Sequence, residues 1–312
     1  MSLKASASRE QSFGDETSLG RYSLFREAVG FIPGVWESVD CSVSVPTVRA
    51  VEFVRPMRGA SRPQLVRCDD GESYVVKFRD NPQHVRVLAN EMLATRLATL
   101  IHLPVPPAAF VEISRELVRH SPSFVPSDSD IAAKHQITGL HFGSRYPGPD
   151  GEALVVDFLP DRLLRRVANL QSVFSGALVF DKWTCNCDGR QVVFHRAEAD
   201  AAYSAWLIDQ GFCFNDGEWN FPDNPLRGLY PRRLVYEGVR GLQSFEPFLS
   251  AVENLRQSDM EECAEGIPAE WCDDASERLF GLAAQLYERR RGLRQALIDA
   301  KNSAWRPFPN WE

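Results

Sequence analysis

The sequence predicts an α+β protein, strand-rich in its first part and helix-rich in its second. Three observations carry this. Residues 48–78 and 108–113 hold short runs rich in Val, Phe and Tyr, bounded by turn residues. Residues 83–101, 161–180 and 275–300 place Leu, Val, Ile and Phe at helical spacing. Between the two parts lies one short apolar run, LVVDFL (154–159), closed by Pro160. A chain of 312 residues corresponds to about two domains or one large two-part domain.

The elements follow in order. Residues 1–45 read as an N-terminal extension, polar at its start and partly disordered. VRAVEFVRP, QLVRC and SYVVKF are three strands, the last two joined by the hairpin signal Asp69-Asp70-Gly71. Asn81-Pro82 opens the helix over 83–101, and Leu103-Pro104-Val105-Pro106-Pro107 closes it. AAFVEI (108–113) is the next strand. The polar stretch 114–136 reads as an insertion or mobile loop, and Gly143-Ser144-Arg145 as a structural turn. A helix is expected over 161–180, then two short strands, QVVFH (191–195) and AWLID (205–209). A long loop over 215–231 precedes the helical C-terminal third. The expected division is therefore an extension (1–45), a strand-rich lobe (46–159) and a helical lobe (160–312).

Composition excludes several classes. With 44% apolar and 25% charged residues, the chain is neither collagen-like, coiled-coil nor wholly disordered. A net charge of −7 argues against direct binding of nucleic acid or a polybasic membrane contact. No stretch approaches the eighteen or so apolar residues of a membrane span, and residues 1–18 lack the apolar core of a signal peptide. Seven scattered cysteines fit free thiols in a reducing cytoplasm. Cys185, Cys187, His195 and Cys213 form at most a weak zinc pattern, C-x-C without a second pair, against the commoner role of buried small side chains. Only five of 35 basic residues are lysines: Lys4, Lys77, Lys134, Lys182 and Lys301. Arginine being the default base here, a retained lysine draws attention, because the two are not interchangeable where a compact charge is needed.

Four features suit phosphoryl transfer, which needs a cation on the phosphates, an acceptor-orienting group and oxygen ligands for Mg²⁺. Lys77 sits near the end of the strand SYVVKF, where a strand fixes its ammonium; alone it reads more readily as a solvent-facing lysine on an edge strand. Glu91, fourteen residues on and inside the first helix, can hold that ammonium, or pair with Arg86 or Arg96 on a helix surface. Asp181 and Asn186 stand in the D-x4-N spacing of a kinase catalytic loop, with Asp181 as base and Asn186 as metal ligand; turn-forming residues give the same spacing by chance. Asp209, in LIDQG, ends a strand as a metal-binding carboxylate would, or as an ordinary turn. Lys182, beside Asp181, is placed to offset charge on the moving phosphoryl group. The candidate nucleotide loop is Arg58-Gly59-Ala60-Ser61-Arg62.

These residues, with HFGSR (141–145) and IPAEW (267–271), resemble the HipA-like kinase domain family, distant relatives of the bacterial serine/threonine kinase toxin HipA, over roughly Val48 to Ala300. The resemblance implies a bilobal protein-kinase-like fold, ATP and Mg²⁺ as cofactors, and transfer to a hydroxyl acceptor, a protein Ser/Thr in the first instance. Cofactor contacts would then fall to Lys77, Glu91, Gly59 and Ser61, the last also matching the phosphorylatable loop serine of some relatives. Metal ligation would fall to Asn186 and Asp209, and catalysis to Asp181 and Lys182. The chain departs from the kinase pattern in two places: Val179-Phe180 precede Asp181 where His-Arg is usual, and the nucleotide loop has one glycine. A pseudokinase interaction module, binding nucleotide weakly or not at all, and a small-molecule phosphotransferase of the aminoglycoside-kinase type are the alternatives. No antitoxin partner is legible in the sequence.

Overall fold

A computed structural model describes residues 45–79, 81–121, 137–148, 154–196, 201–273 and 276–312. The expected N-terminal extension thus lies outside the described residues, as does most of the polar stretch 114–136. The described residues form one compact unit.

Alternation in the first strands produces a small barrel. β1 (Thr47–Pro56), β2 (Gln64–Cys68), β3 (Ser73–Lys77), β4 (Ala108–Ile113) and β5 (Gly139–Arg145) close in the order β1-β2-β3-β5-β4. Neighbours pair antiparallel except β1 with β4, whose parallel register (Val48 opposite Val111) seals the barrel. Inward residues of β1 to β4, Val48, Ala50, Val66, Cys68, Tyr74, Val76, Ala109 and Val111 among them, fill the interior. Closure also removes the exposed sheet edges that short strands would otherwise leave. Gly143-Ser144-Arg145 is therefore strand, not turn: Lys77 pairs with Phe142 and Val75 with Ser144.

Helix α1 (Val87–Leu100) is shorter than the 83–101 expected and buried almost all round. A helix with no polar face must be covered on every side. The barrel covers one side. On another, Arg96 donates to the Cys263 and Glu265 carbonyls at 3.0 and 2.6 Å, tying α1 to the segment that ends a later helix. In the stretch 114–136, residues Arg115–His120 form a short helix, α2, because Ser114 accepts from Leu117 N at 3.1 Å and caps it.

β6 (Leu154–Val156), β7 (Gln191–Arg196) and β8 (Ser204–Ile208) form a separate antiparallel sheet. The helix expected over 161–180 is two: α3 (Asp161–Leu164) and α4 (Leu170–Thr184), broken where Asn169 takes a left-handed φ of 53°. Helices α5 (Phe248–Glu253), α6 (Gln257–Ala264), α7 (Ser276–Arg289) and α8 (Leu293–Lys301) follow. The IPAEW segment joins the helical part to the barrel: Trp271 stacks 5.5 Å from Phe110, and Arg79 pairs with Glu270 at 3.0 Å. No helix among the described residues is long and apolar enough to cross a membrane.

Candidate active site

Lys77 is the last residue of β3 and only 7% exposed. A buried ammonium requires partners. It has two: Glu91 on α1, and Asp209 just beyond β8, whose Oδ1 is 2.6 Å away. Three elements up to 132 residues apart thus meet at one cation. Burial depresses the Lys77 ammonium, but the two carboxylates outweigh it and raise its pKa. Asp209 is likewise pushed up by burial, yet Lys77 holds it below the ordinary carboxylate value. One cation cannot compensate both acids. Glu91, wholly enclosed, is raised by burial against the pull of Lys77.

The backbone around Asp209 fixes this geometry. Asp209 itself occupies the left-handed region at φ 60°, which turns its carboxylate back over the sheet end. Gly211 is needed for a different reason than backbone freedom: a Cβ there would lie 2.5 Å from Val87 Cγ2. The glycine lets the loop lie against α1, where Gln210 and Gly211 donate their N–H groups to Glu91 at 3.1 and 3.0 Å. The turn bearing Gly59 and Ser61 joins β1 to β2 at the Lys77 end of the barrel, since Gln64 pairs with Val76. It is closed by Arg62 N donating to Gly59 O at 3.1 Å, and Ser61 is 6% exposed within it.

Asp181 and Asn186 belong to a buried network of their own, which Arg190 ties to the residues on either side of Asp209. Asp181 lies in the last turn of α4, not in a loop, and is fully buried. Arg190 grips both its oxygens, with Nε 2.9 Å from Oδ2, and Asn186 Nδ2 donates to Oδ1 at 3.0 Å. Gly228 closes over it: at φ +74°, a Cβ there would lie 2.3 Å from Asp181 Cβ. Asn186, 1% exposed, spends its carbonyl on Asp188 N at 3.2 Å. Its side chain is thus committed to Asp181 and Asp188, whereas the Asp209 carboxylate bonds Lys77 and Gln191. Lys182 bonds the 224–225 segment. Its Nζ donates to the Asn224 and Pro225 carbonyls at 3.0 and 2.8 Å, and burial lowers its pKa to about 8.

Residues outside the expected set contact the segment that carries Asp209. Asp188 is the exposed carboxylate of the loop between α4 and β7, and the neighbouring Cys187 N donates to Phe212 O at 3.1 Å, docking that loop on the Asp209 segment. Gln191 opens β7 opposite Ile208, and its Nε2 donates to Asp209 Oδ2 at 2.7 Å. Arg190 is buried and reaches beyond Asp181, donating to Ile208 O at 3.1 Å and Gln210 Oε1 at 2.8 Å. It staples the end of α4 to the segment carrying Asp209. The Asp188-Gly189 turn signal ahead of a β-rich run was readable in the sequence. The Arg190 contacts were not.

Of possible metal ligands, no group of three His, Cys, Asp or Glu is gathered among the described residues. The zinc pattern dissolves accordingly: Cys185 accepts from Arg227, Cys213 lies against Thr184, and His195 stacks on Trp206. The described cysteines are free thiols. Asp209 and Gln191 offer a carboxylate and an amide. A half-turn of the amide would present its oxygen on the same side. That is a hard-oxygen donor set suited to Mg²⁺, which takes one or two protein ligands and the rest from phosphate and water.

The HipA-like kinase family matches residues 50–195, just under half of the chain. The match bears out the resemblance drawn from the motifs; it spans Lys77, Glu91, Asp188 and Gln191 and ends before Asp209. Among solved structures, the Helicobacter pylori proinflammatory kinase CtkA aligns over 82% of this chain and 99% of its own at 14% identity, with a TM-score of 0.52. This likeness shows a shared fold. The Golgi casein kinase aligns over 83% of this chain and 75% of its own at 13% identity, with a TM-score of 0.48. No curated protein sequence matches the chain.

Proposed function

We propose that the protein is an ATP-dependent kinase of the HipA-like type, transferring the γ-phosphoryl group to a hydroxyl, in the first instance of a protein Ser or Thr. The family match supports phosphotransfer of kinase type. The convergence of Lys77, Glu91 and Asp209 carries the reading furthest, because a buried strand lysine held by a helix glutamate beside a strand-end aspartate is what phosphate binding requires. Lys77 would bind the phosphates and Glu91 would hold it. Asp209 and Gln191 would hold Mg²⁺, which offsets phosphate charge when bound. Asp188 would replace Asp181 as the acceptor-orienting carboxylate: it is exposed on a loop docked on the segment that follows Asp209, whereas both oxygens of Asp181 are committed. The Gly59–Ser61 turn would lie over the nucleotide, and the lobes would divide at about residues 159 and 160.

The test is transfer of labelled γ-phosphate from ATP with Mg²⁺, to the chain itself and to a protein mixture, using wild type, Asp188→Asn and Asp209→Asn. Turnover in wild type and its loss in both variants is expected. No turnover, with no thermal shift at millimolar ATP and Mg²⁺, would identify the pseudokinase module instead, and transfer to an aminoglycoside but no protein would identify the small-molecule enzyme.

A further inference from the structure

The geometry points to Asn90 as the positioning residue that pins the metal-bearing loop, 209–219, to α1. This rests on the kinase reading for its functional meaning but not for its structural content. Asn90 precedes Glu91 and is fully buried. An asparagine in a helix interior is unfavourable unless its amide is used. Every polar atom of this one is used, and all on one segment. Nδ2 lies 2.8 Å from Gly211 O, 3.0 Å from Cys213 O and 2.8 Å from Asp216 O. Oδ1 accepts from Trp219 Nε1 at 2.7 Å.

Asn90 and Glu91 divide the loop between them. Glu91 takes the N–H groups of Gln210 and Gly211, and Asn90 takes the carbonyl of Gly211 and those of the next turn. Gly211 is thus held at both its donor and its acceptor by consecutive side chains. The start of α1 and the approach to it add to the grip: His84 Nε2 is 3.0 Å from Gly211 O, and Arg86 bonds Gly217 O and stacks 4.7 Å over Trp219. The loop needs such support. Asp209, Phe214, Asn215, Asp216 and Trp219 all have left-handed φ values without being glycine, each a conformation that persists only where surrounding contacts impose it. The consequence is mechanical. The helix carrying Glu91 and the loop carrying Asp209 move as one body, so the Lys77–Glu91 pair and the metal carboxylate are assembled or lost together.

Hydrogen exchange of the full chain tests this, comparing wild type with Asn90→Ala and Trp219→Phe. In Asn90→Ala, amide exchange in the peptide covering 210–219 should rise at least tenfold, with the barrel strands 64–68 and 108–113 unchanged. Trp219→Phe keeps the ring and removes only the indole donor, so it should speed exchange severalfold at 214–219 alone. In turnover, kcat should fall and the Mg²⁺ concentration for half-maximal rate should rise, with the ATP KM changed less. Unchanged exchange over 210–219 in either variant, or a rise that appears equally in the barrel, overturns the pin. Wild type without any turnover would instead overturn the kinase reading and leave the exchange result standing.

Discussion

Two aspartates seven residues apart make opposite predictions. Asp181 is fully buried and Arg190 is 4% exposed. Asp181→Asn leaves the Arg190 guanidinium buried against a neutral amide that has one acceptor instead of two. Removing one partner of a buried ion pair costs about 3–5 kcal/mol. In a compact unit of this size each kcal/mol moves Tm by roughly 2–4 °C, so a fall of about 6–20 °C is expected. Asp188 is exposed, and its replacement by Asn should change stability by no more than about 0.5 kcal/mol. Its loss as the acceptor-orienting base should cost about 10²–10⁴ in rate. The assay pairs thermal unfolding with single-turnover phosphotransfer measured well below either Tm. Asp181→Asn should melt early yet keep its rate within about tenfold, while Asp188→Asn melts normally and turns over poorly. Asp181→Asn/Arg190→Gln should recover part of the lost Tm, because no unpaired charge remains. If Asp181→Asn keeps the wild-type Tm and loses turnover, the roles assigned to the two aspartates are reversed and the reasoning fails.

Other outcomes follow from the same contacts. Lys77→Met leaves two buried carboxylates without a cation; phosphotransfer should drop at least ~10²-fold, and the Tm loss should be larger at pH 8 than at pH 5, where Glu91 can take a proton. Gly211→Ala forces a methyl to 2.5 Å from Val87 Cγ2 and should cost about 1–3 kcal/mol, partly recovered in denaturant titrations by adding Val87→Ala. His141 is fully buried and neutral, bonded to Ile137 O at 2.8 Å, and burial lowers its pKa to about 4. Between its ordinary value of 6.5 and about 4, the unfolded state binds the extra proton, so stability should fall as pH drops through that window, by about 3 kcal/mol in all. His141→Gln should flatten the profile measured by urea unfolding at pH 4.5, 5.5 and 7.5.

How much of this was legible in the sequence depends on how local the cause is. The strands QLVRC and AAFVEI match the structure end to end because alternation and flanking turns are local signals. Lys77, Glu91 and Asp209 were legible for a related reason: strand ends and a helix interior constrain where a side chain can point. The parallel pairing of β1 with β4 was not legible, since nothing in either strand specifies a partner sixty residues away. Nor was the Asn90 network, where one mid-helix asparagine binds residues more than 120 positions on.

Asp181 shows why spacing alone is a poor guide to chemistry. The D-x4-N spacing suggests a loop, but Phe174, Ala177, Leu178, Phe180 and Trp183 continue the helical apolar pattern past Asp181 to Thr184. The apolar residues on either side already implied that the aspartate would be buried. A buried carboxylate needs a cation, and the arginine that supplies it sits nine residues on. Once Arg190 is committed to Asp181, the chain between them must form a tight loop that projects outward. Cys187, Asp188 and Gly189 are its three exposed residues. The buried pair thereby sets the position of the one carboxylate on that loop left open to a substrate. On the proposed reading Asp181 would act on the chemistry through the fold and Asp188 through contact, which is why the stability and rate measurements must be made on the same variants.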